Sequence, residues 1–235
     1  MLQHTPLNDS IIILHGAVNC GLIRKGSSAL LIDCCDTITP AGLKQFSIDT
    51  IDRILLTQYR RPNASGITNF SSNSTRVVTS EDDKSLVESV DRYWGNWKNR
   101  WHIYSHQPGP LVLTQPYPVG NTLIDHDSFQ WEGISITALS TPGATQGALT
   151  YLVEDHRQCL CFCGDVIYGD GKLWDLYSLQ KGKDNILDYH GFLGYKDSLF
   201  HSLDKIINAN PDVLIPSHGP IIYQPNQAIK KLIER

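Results

Sequence analysis

Three short stretches hold side chains able to do chemistry together. Residues 57–66 read Thr-Gln-Tyr-Arg-Arg-Pro-Asn-Ala-Ser-Gly, Cys163-Gly164-Asp165 ends an apolar run, and Ser217-His218-Gly219 ends another. Asp165 and His218 form a candidate acid/base pair, with the carboxylate orienting the imidazole. Such a pair needs a nucleophile, and Cys34, Cys35 and Ser217 are the candidates in reach of sequence logic. Catalytic zinc is the other chemistry such residues suggest, but it takes three protein ligands drawn from His, Cys and carboxylate. Gln58 and Asn63 offer neutral amides, Pro62 and Ala144 offer no ligand, and Arg60 brings a permanent positive charge.

The elements that must position these groups alternate between strands and helices. Strands are expected near 11–15, 18–24, 28–33, 51–57, 75–79, 111–113, 121–124, 128–131, 134–140, 148–154, 158–164 and 212–215. Helices are expected near 40–47, 63–71, 82–98, 194–209 and 225–234. Pro40, Pro62, Pro211 and Pro225 punctuate element ends. A weak internal repeat stands out. Gly21 to Asp36 and Leu149 to Asp165 each read as a hairpin whose second strand delivers an aspartate at its end. Two such halves predict two mixed sheets packed face to face with helices outside, an α+β four-layer αββα sandwich. No low-complexity linker divides residues 1–235, so one domain is expected, with an aromatic-rich insertion at about 91–121. There Trp94, Trp97, Trp101 and Tyr104 fall at helical spacing, which favours packing. His102, His106 and His190 lie in similarly aromatic surroundings.

Composition narrows the function classes. Hydrophobic residues make up 41% and charged residues 19%, as in ordinary globular proteins. A net charge of −4 argues against nucleic acid as a partner. No apolar run approaches a membrane span, and the N-terminal residues lack a signal-peptide pattern, so a cytoplasmic setting is expected. The six cysteines do not make a disulfide framework. Cys159, Cys161 and Cys163 alternate along one strand and read as small apolar fillers of a shared face. The vicinal pair Cys34-Cys35 reads first as structural, with redox activity as the alternative.

Taken in order, the motifs resemble the metallo-β-lactamase superfamily. Residues 51–66 have the frame of its Thr-His-x-His-x-Asp-His loop. His15 to Cys20 with Ala29 to Asp33 is similar to its opening hairpin. Thr141-Pro142-Gly143-Ala144-Thr145-Gln146-Gly147 resembles its Thr-Pro-Gly-His-Thr-x-Gly turn, and Gly164-Asp165 and Ser217-His218-Gly219 resemble its last two ligand motifs. The resemblance implies seven metal-ligand positions, here Gln58, Arg60, Pro62, Asn63, Ala144, Asp165 and His218. Asp165 and His218 alone keep a good ligand. The expectation is therefore a non-hydrolytic protein that binds a small molecule in the former active-site cleft or a partner at its surface, without metal or cofactor. Asp165 and His218 are its residual catalytic pair, and Gln58, Arg60, Asn63 and Ala144 line its cleft. A homodimer or heterodimer is compatible with it. The alternative is a hydrolase of an ester, thioester or lactam, using one zinc or iron ion held by Asp165, His218 and a borrowed ligand such as Asn63, Gln58 or Asp33. An ion pair between Arg60 and Asp165 is expected where the metals would sit, because an unpaired buried carboxylate is costly.

Overall fold

The computed structural model describes residues 1–70, 74–96, 112–155, 158–169, 171–173 and 196–234. Among the described residues, twelve strands form two sheets. The first has seven, in chain order: β1 (Gln3–Pro6), β2 (Ile11–His15), β3 (Asn19–Lys25), β4 (Ser28–Ile32), β5 (Thr50–Leu55), β6 (Arg76–Ser80) and β7 (Val119–Leu123). Strands β1 to β4 run antiparallel to their neighbours, and β4 to β7 are parallel. The second has five, in the order β12 (Val213–Pro216), β11 (Gln158–Gly164), β10 (Leu149–Asp155), β9 (Ile134–Ser140) and β8 (Ser128–Trp131). It is antiparallel except for the parallel pair β11–β12.

Near-continuous apolar runs make this packing possible, because both faces of the central strands are covered. On β2, Ile11 and Ile13 face inward while Ile12 and Leu14 face outward, and β4 divides Leu30 and Ile32 from Ala29 and Leu31 in the same way. The inward sets meet Ile136, Tyr151, Val153, Leu160 and Phe162 of the second sheet and form the central core. The sheets approach so closely that a Cβ on Gly21 would lie 2.5 Å from the Phe162 ring.

Helices cover the outer faces. On the first sheet lie α1 (Pro40–Leu43), α2 (Arg61–Ala64), α3 (Glu81–Glu88) and α4 (Val90–Gly95), which contribute Leu43, Ala64, Val87 and Val90 to its outer core. On the second lie α5 (Lys196–Ala209) and α6 (Pro225–Ile233). Leu199, Leu203 and Ile206 make a one-sided stripe on α5 that packs with Ile229 and Leu232 of α6. Cys161 and Cys163 are buried under these helices with Cys159 beside them, so the three cysteines share an outer face as fillers. The αββα sandwich is therefore the architecture, with two mixed sheets and helices outside.

Some elements differ from the sequence reading. β1 was not expected, because its polar Gln-His-Thr-Pro gives no alternation signal; it is held as an edge by pairing with β2. Val112 and Leu113 form no strand; they are buried against the outer core, and Leu113 accepts a hydrogen bond from Trp94 Nε1 at 2.7 Å. The helix expected over 82–98 is two, broken at Ser89. Trp97, Trp101, Tyr104, His102, His106 and His190 lie outside the described residues. No helix among the described residues is long and apolar enough to cross a membrane.

Candidate functional site

The C-terminal ends of β4, β5, β11 and β12 converge on one edge of the sandwich, and each delivers a polar residue there. This is the edge where open α/β sheets place their ligands. Asp33 follows β4 with φ 59°, a left-handed conformation tolerated by aspartate. Thr57 and Gln58 follow β5, Asp165 follows β11 after Gly164, and Ser217 and His218 follow β12. Backbone bonds from Asp33 N to Leu55 O at 2.8 Å and from Ser217 N to Gly164 O at 2.8 Å tie these exits together in pairs.

Within this edge the side chains satisfy one another. His218 Nδ1 lies 2.7 Å from Asp165 Oδ1, and Gln58 Nε2 donates to Asp165 Oδ2 at 2.6 Å and to Asn63 Oδ1 at 3.0 Å. Asn63 Nδ2 donates to Asp33 Oδ2 at 2.8 Å and to Ser217 Oγ at 3.0 Å. Asp33 also accepts from the Thr57 backbone at 2.7 Å and its hydroxyl at 2.8 Å. Gln58, Arg60, Asn63, Asp33 and Ser217 are all buried. Gln58 Oε1 is the one amide oxygen of the cluster left without a partner.

Arg60 enters this interior as the sequence suggested, but its contacts differ from expectation. Both oxygens of Asp165 are held by His218 and Gln58. The guanidinium donates instead to the carbonyl of Ala144. It reaches Asp165 and Asp83 through its charge, lowering the proton affinity of both. The direct Arg60–Asp165 pair is thus replaced by a cation set between two buried acids. The guanidinium is turned to the Ala144 carbonyl, while the Gln58 amide and the His218 imidazole meet Asp165 directly. Helix α2 starts at Arg61, and Pro62 sits at its second position. Arg61 is half-buried and donates to Val112 O at 2.8 Å.

The acids respond to their surroundings in opposite ways. Burial pushes Asp33 up from 3.8 to about 7, against the bonds from Thr57 and Asn63, with the charge of Asp165 adding to the rise. Burial pushes Asp83 up to about 6, offset in part by Tyr59 N–H, Thr145 and the charge of Arg60. Burial would raise Asp165 too, but the bond and charge of His218, the charge of Arg60 and the Gln58 amide hold it below the usual carboxylate value.

Sequence reasoning missed two supports. Asp83 lies in the first turn of α3, where its N–H caps onto Ser80 Oγ at 3.1 Å. Ser-x-x-Asp marks a helix start, but nothing local reveals that the carboxylate accepts from Tyr59 N–H at 3.0 Å. Asn19 grips the His218 loop from β3. Its Nδ2 donates to Pro216 O and Gly219 O, each at 2.9 Å, and its N–H to Ser217 O at 2.8 Å.

The donor set does not fit a metal centre. Among the described residues, no three His, Cys, Asp or Glu side chains are placed to share one ion. Amide N–H groups and a guanidinium point where a cation would need lone pairs, and Ala144 supplies its carbonyl to Arg60.

No protein-family model matches the chain. It is 25% identical over 228 residues to the beta-lactamase-like protein 2 homolog of Drosophila melanogaster, covering 93% of this chain and 63% of that protein. It is 33% identical over 63 residues to the hydroxyacylglutathione hydrolase of Aeromonas salmonicida, which is 27% of this chain and 23% of that enzyme. The chain thus spans less than two thirds of the length of either relative. Among solved structures, a B3 metallo-β-lactamase with an active-site glutamic acid superposes with TM-score 0.68 at 18% identity, covering 100% of this chain and 90% of that one. A Cronobacter sakazakii metallo-β-lactamase with the motif HARLDQ superposes with TM-score 0.66 at 17% identity, covering 92% of this chain and 78% of that one.

Proposed function

We propose that the chain is a member of the metallo-β-lactamase superfamily, whose fold it shares, and a non-hydrolytic one. In this reading it is a one-domain cytoplasmic protein whose former active-site cleft binds a small molecule without a metal. The observation that carries the proposal is the pair of hydrogen bonds that Gln58 Nε2 donates to Asp165 Oδ2 and Asn63 Oδ1. It joins side chains at three of the ligand positions, so that they hold each other. The guanidinium of Arg60 adds a fixed positive charge to the same interior, which repels a second cation. Hydrolysis in this fold depends on metal-bound water, whose pKa the ion lowers to about 7. Among the described residues, no three His, Cys, Asp or Glu side chains offer that ion a cage. Asp165 and His218 then serve to hold the strand exits, and Gln58 Oε1 remains as an acceptor for a ligand donor.

A second reading keeps hydrolysis of a lactam, ester or thioester on a single zinc or iron ion. It is favoured by one observation: arginine holds the third place of Gln58–Asn63, as it holds the third place of the HARLDQ motif of a metallo-β-lactamase. Assays of lactam and thioester hydrolysis, with and without added zinc, separate the two. The proposal expects turnover indistinguishable from buffer and a melting temperature unmoved by chelator. Chelator-sensitive turnover that disappears in His218→Ala would establish the second reading instead.

A further inference from the structure

The loop that carries His218 is held from a part of the molecule that the proposed function does not use. Asn19 opens β3 directly opposite His15 of β2, across the turn at 16–18. Its backbone N–H donates to Ser217 O at 2.8 Å, and its Nδ2 donates to Pro216 O and Gly219 O, each at 2.9 Å. One residue thus holds backbone carbonyls on both sides of His218. Gly219 turns with φ 91°, and a Cβ there would lie 2.6 Å from the Tyr168 ring, so the loop has no room to shift toward it.

Which way the Asn19 amide faces is decided behind it. Nδ2 is committed to two carbonyls, so Oδ1 is left to accept, and His15 Nδ1 lies 2.8 Å from it. A ring nitrogen facing an acceptor must carry the proton, so His15 holds its Nδ1–H toward Asn19. His15 Nε2 lies 2.8 Å from Thr5 Oγ1, a hydroxyl able to donate to the neutral ring or accept from the charged one. That hydroxyl belongs to the edge strand β1. An amide turned over would set its oxygen against two carbonyl oxygens and its N–H groups against the imidazole N–H. The path Thr5–His15–Asn19 therefore fixes one orientation of the amide. All three residues are half-buried, so water competes only in part for these bonds.

We propose that His15 is a positioning residue for His218. It acts through Asn19: with the amide locked, the 216–219 loop is held and His218 Nδ1 is kept 2.7 Å from Asp165 Oδ1. The sheet beneath does not need this path. β12 is paired to β11, and Ser217 N–H donates to Gly164 O at 2.8 Å, without help from β2 or β3. Loss of the His15 imidazole therefore loosens His218 without undoing the strands that deliver it. Through Thr5, the path reaches from the candidate site to the outer edge of the first sheet. His15 has this role whether the cleft takes a small molecule or an ion.

Nitrogen-15 NMR of the full chain, labelled in its histidine and asparagine side chains and recorded with chelator present, tests it. In the native chain His218 should be a single Nδ1–H tautomer, and the Asn19 Nδ2 protons should exchange slowly with water. In His15→Ala, His218 should move to the mixed tautomers of a free imidazole. The Asn19 amide should then exchange roughly threefold to tenfold faster, the ratio for losing one ordinary hydrogen bond. His15→Asn, whose amide N–H can stand where Nδ1–H stood, should restore both signals, which a merely space-filling role would not. Thr5→Val should give the same changes at smaller size, and it carries the test if His15→Ala does not fold. A folded His15→Ala or Thr5→Val with unchanged His218 signals, or a folded His15→Asn that restores neither signal, would overturn the proposal.

Discussion

Asp33 and Asp165 occupy matching places in the two sheets, and they hold protons in opposite ways. Each follows the second strand of a hairpin, β3–β4 or β10–β11, and each is buried at the same edge. Each also accepts several hydrogen bonds. Asp33 receives only neutral donors, and its carboxyl rises to about 7. Asp165 has His218 against it and Arg60 within electrostatic reach, and its carboxyl is held low. Neutral hydrogen bonds alone do not offset the loss of water; opposite charge does. Arg60 thus supplies part of the positive charge that holds Asp165 low, and Asp33 lacks it.

The largest effect should come from removing that charge. Arg60→Met leaves Asp83 and Asp165 with less compensation, and urea denaturation should show a loss of ~3–5 kcal/mol, the usual cost of breaking a buried charge pairing. The Asp165 carboxyl should rise toward that of Asp33, which NMR titration of the side chain reads directly.

The next effect is the pH dependence, where the two acids pull against each other. Asp33 binds its proton more tightly when folded, so its contribution is complete below 3.8 and is lost as the pH rises to about 7. Asp83 adds the same slope up to about 6. Asp165 has the reverse sign: its contribution is present above its unfolded value and is lost as the pH falls through its lower folded one. Denaturation midpoints measured from pH 4 to 8 should therefore decline more steeply toward neutrality in the native chain than in Asp33→Asn.

Asn63→Ala should cost ~1–3 kcal/mol, because it withdraws a buried donor from Asp33 and Ser217 at once. It should also raise the Asp33 carboxyl further. Thr145→Val removes the longest of the bonds to Asp83, 3.3 Å, and should cost only ~0.5–1.5 kcal/mol. Equal losses in these two variants would mean that the Asp33 cluster has no special dependence on Asn63.

The sandwich was legible because its signals are local and repeated. Apolar runs such as Ile11–Leu14 and Leu30–Ile32 announce doubly covered strands, and the stripe on α5 announces a helix lying on a sheet. The residues gathered at the sheet edge were legible from motif order, including the burial of Arg60. Their pairing was not. Gln58 lies 107 positions from Asp165, and its choice of that oxygen over any other depends on how the two sheets stack. Asp83 and Asn19 escaped for the same reason. Each looks locally like a cap or a turn residue, and each acts on a segment brought near only by the fold.

The central claim is that the protein's own side chains fill the place of the metals. Metal analysis of the purified protein, after incubation with excess zinc and removal of unbound ion, tests it most directly. The account predicts zinc far below one equivalent per chain, and no more in the native protein than in Asp165→Ala. An equimolar amount of tightly held zinc, lost in Asp165→Ala or His218→Ala, would contradict it.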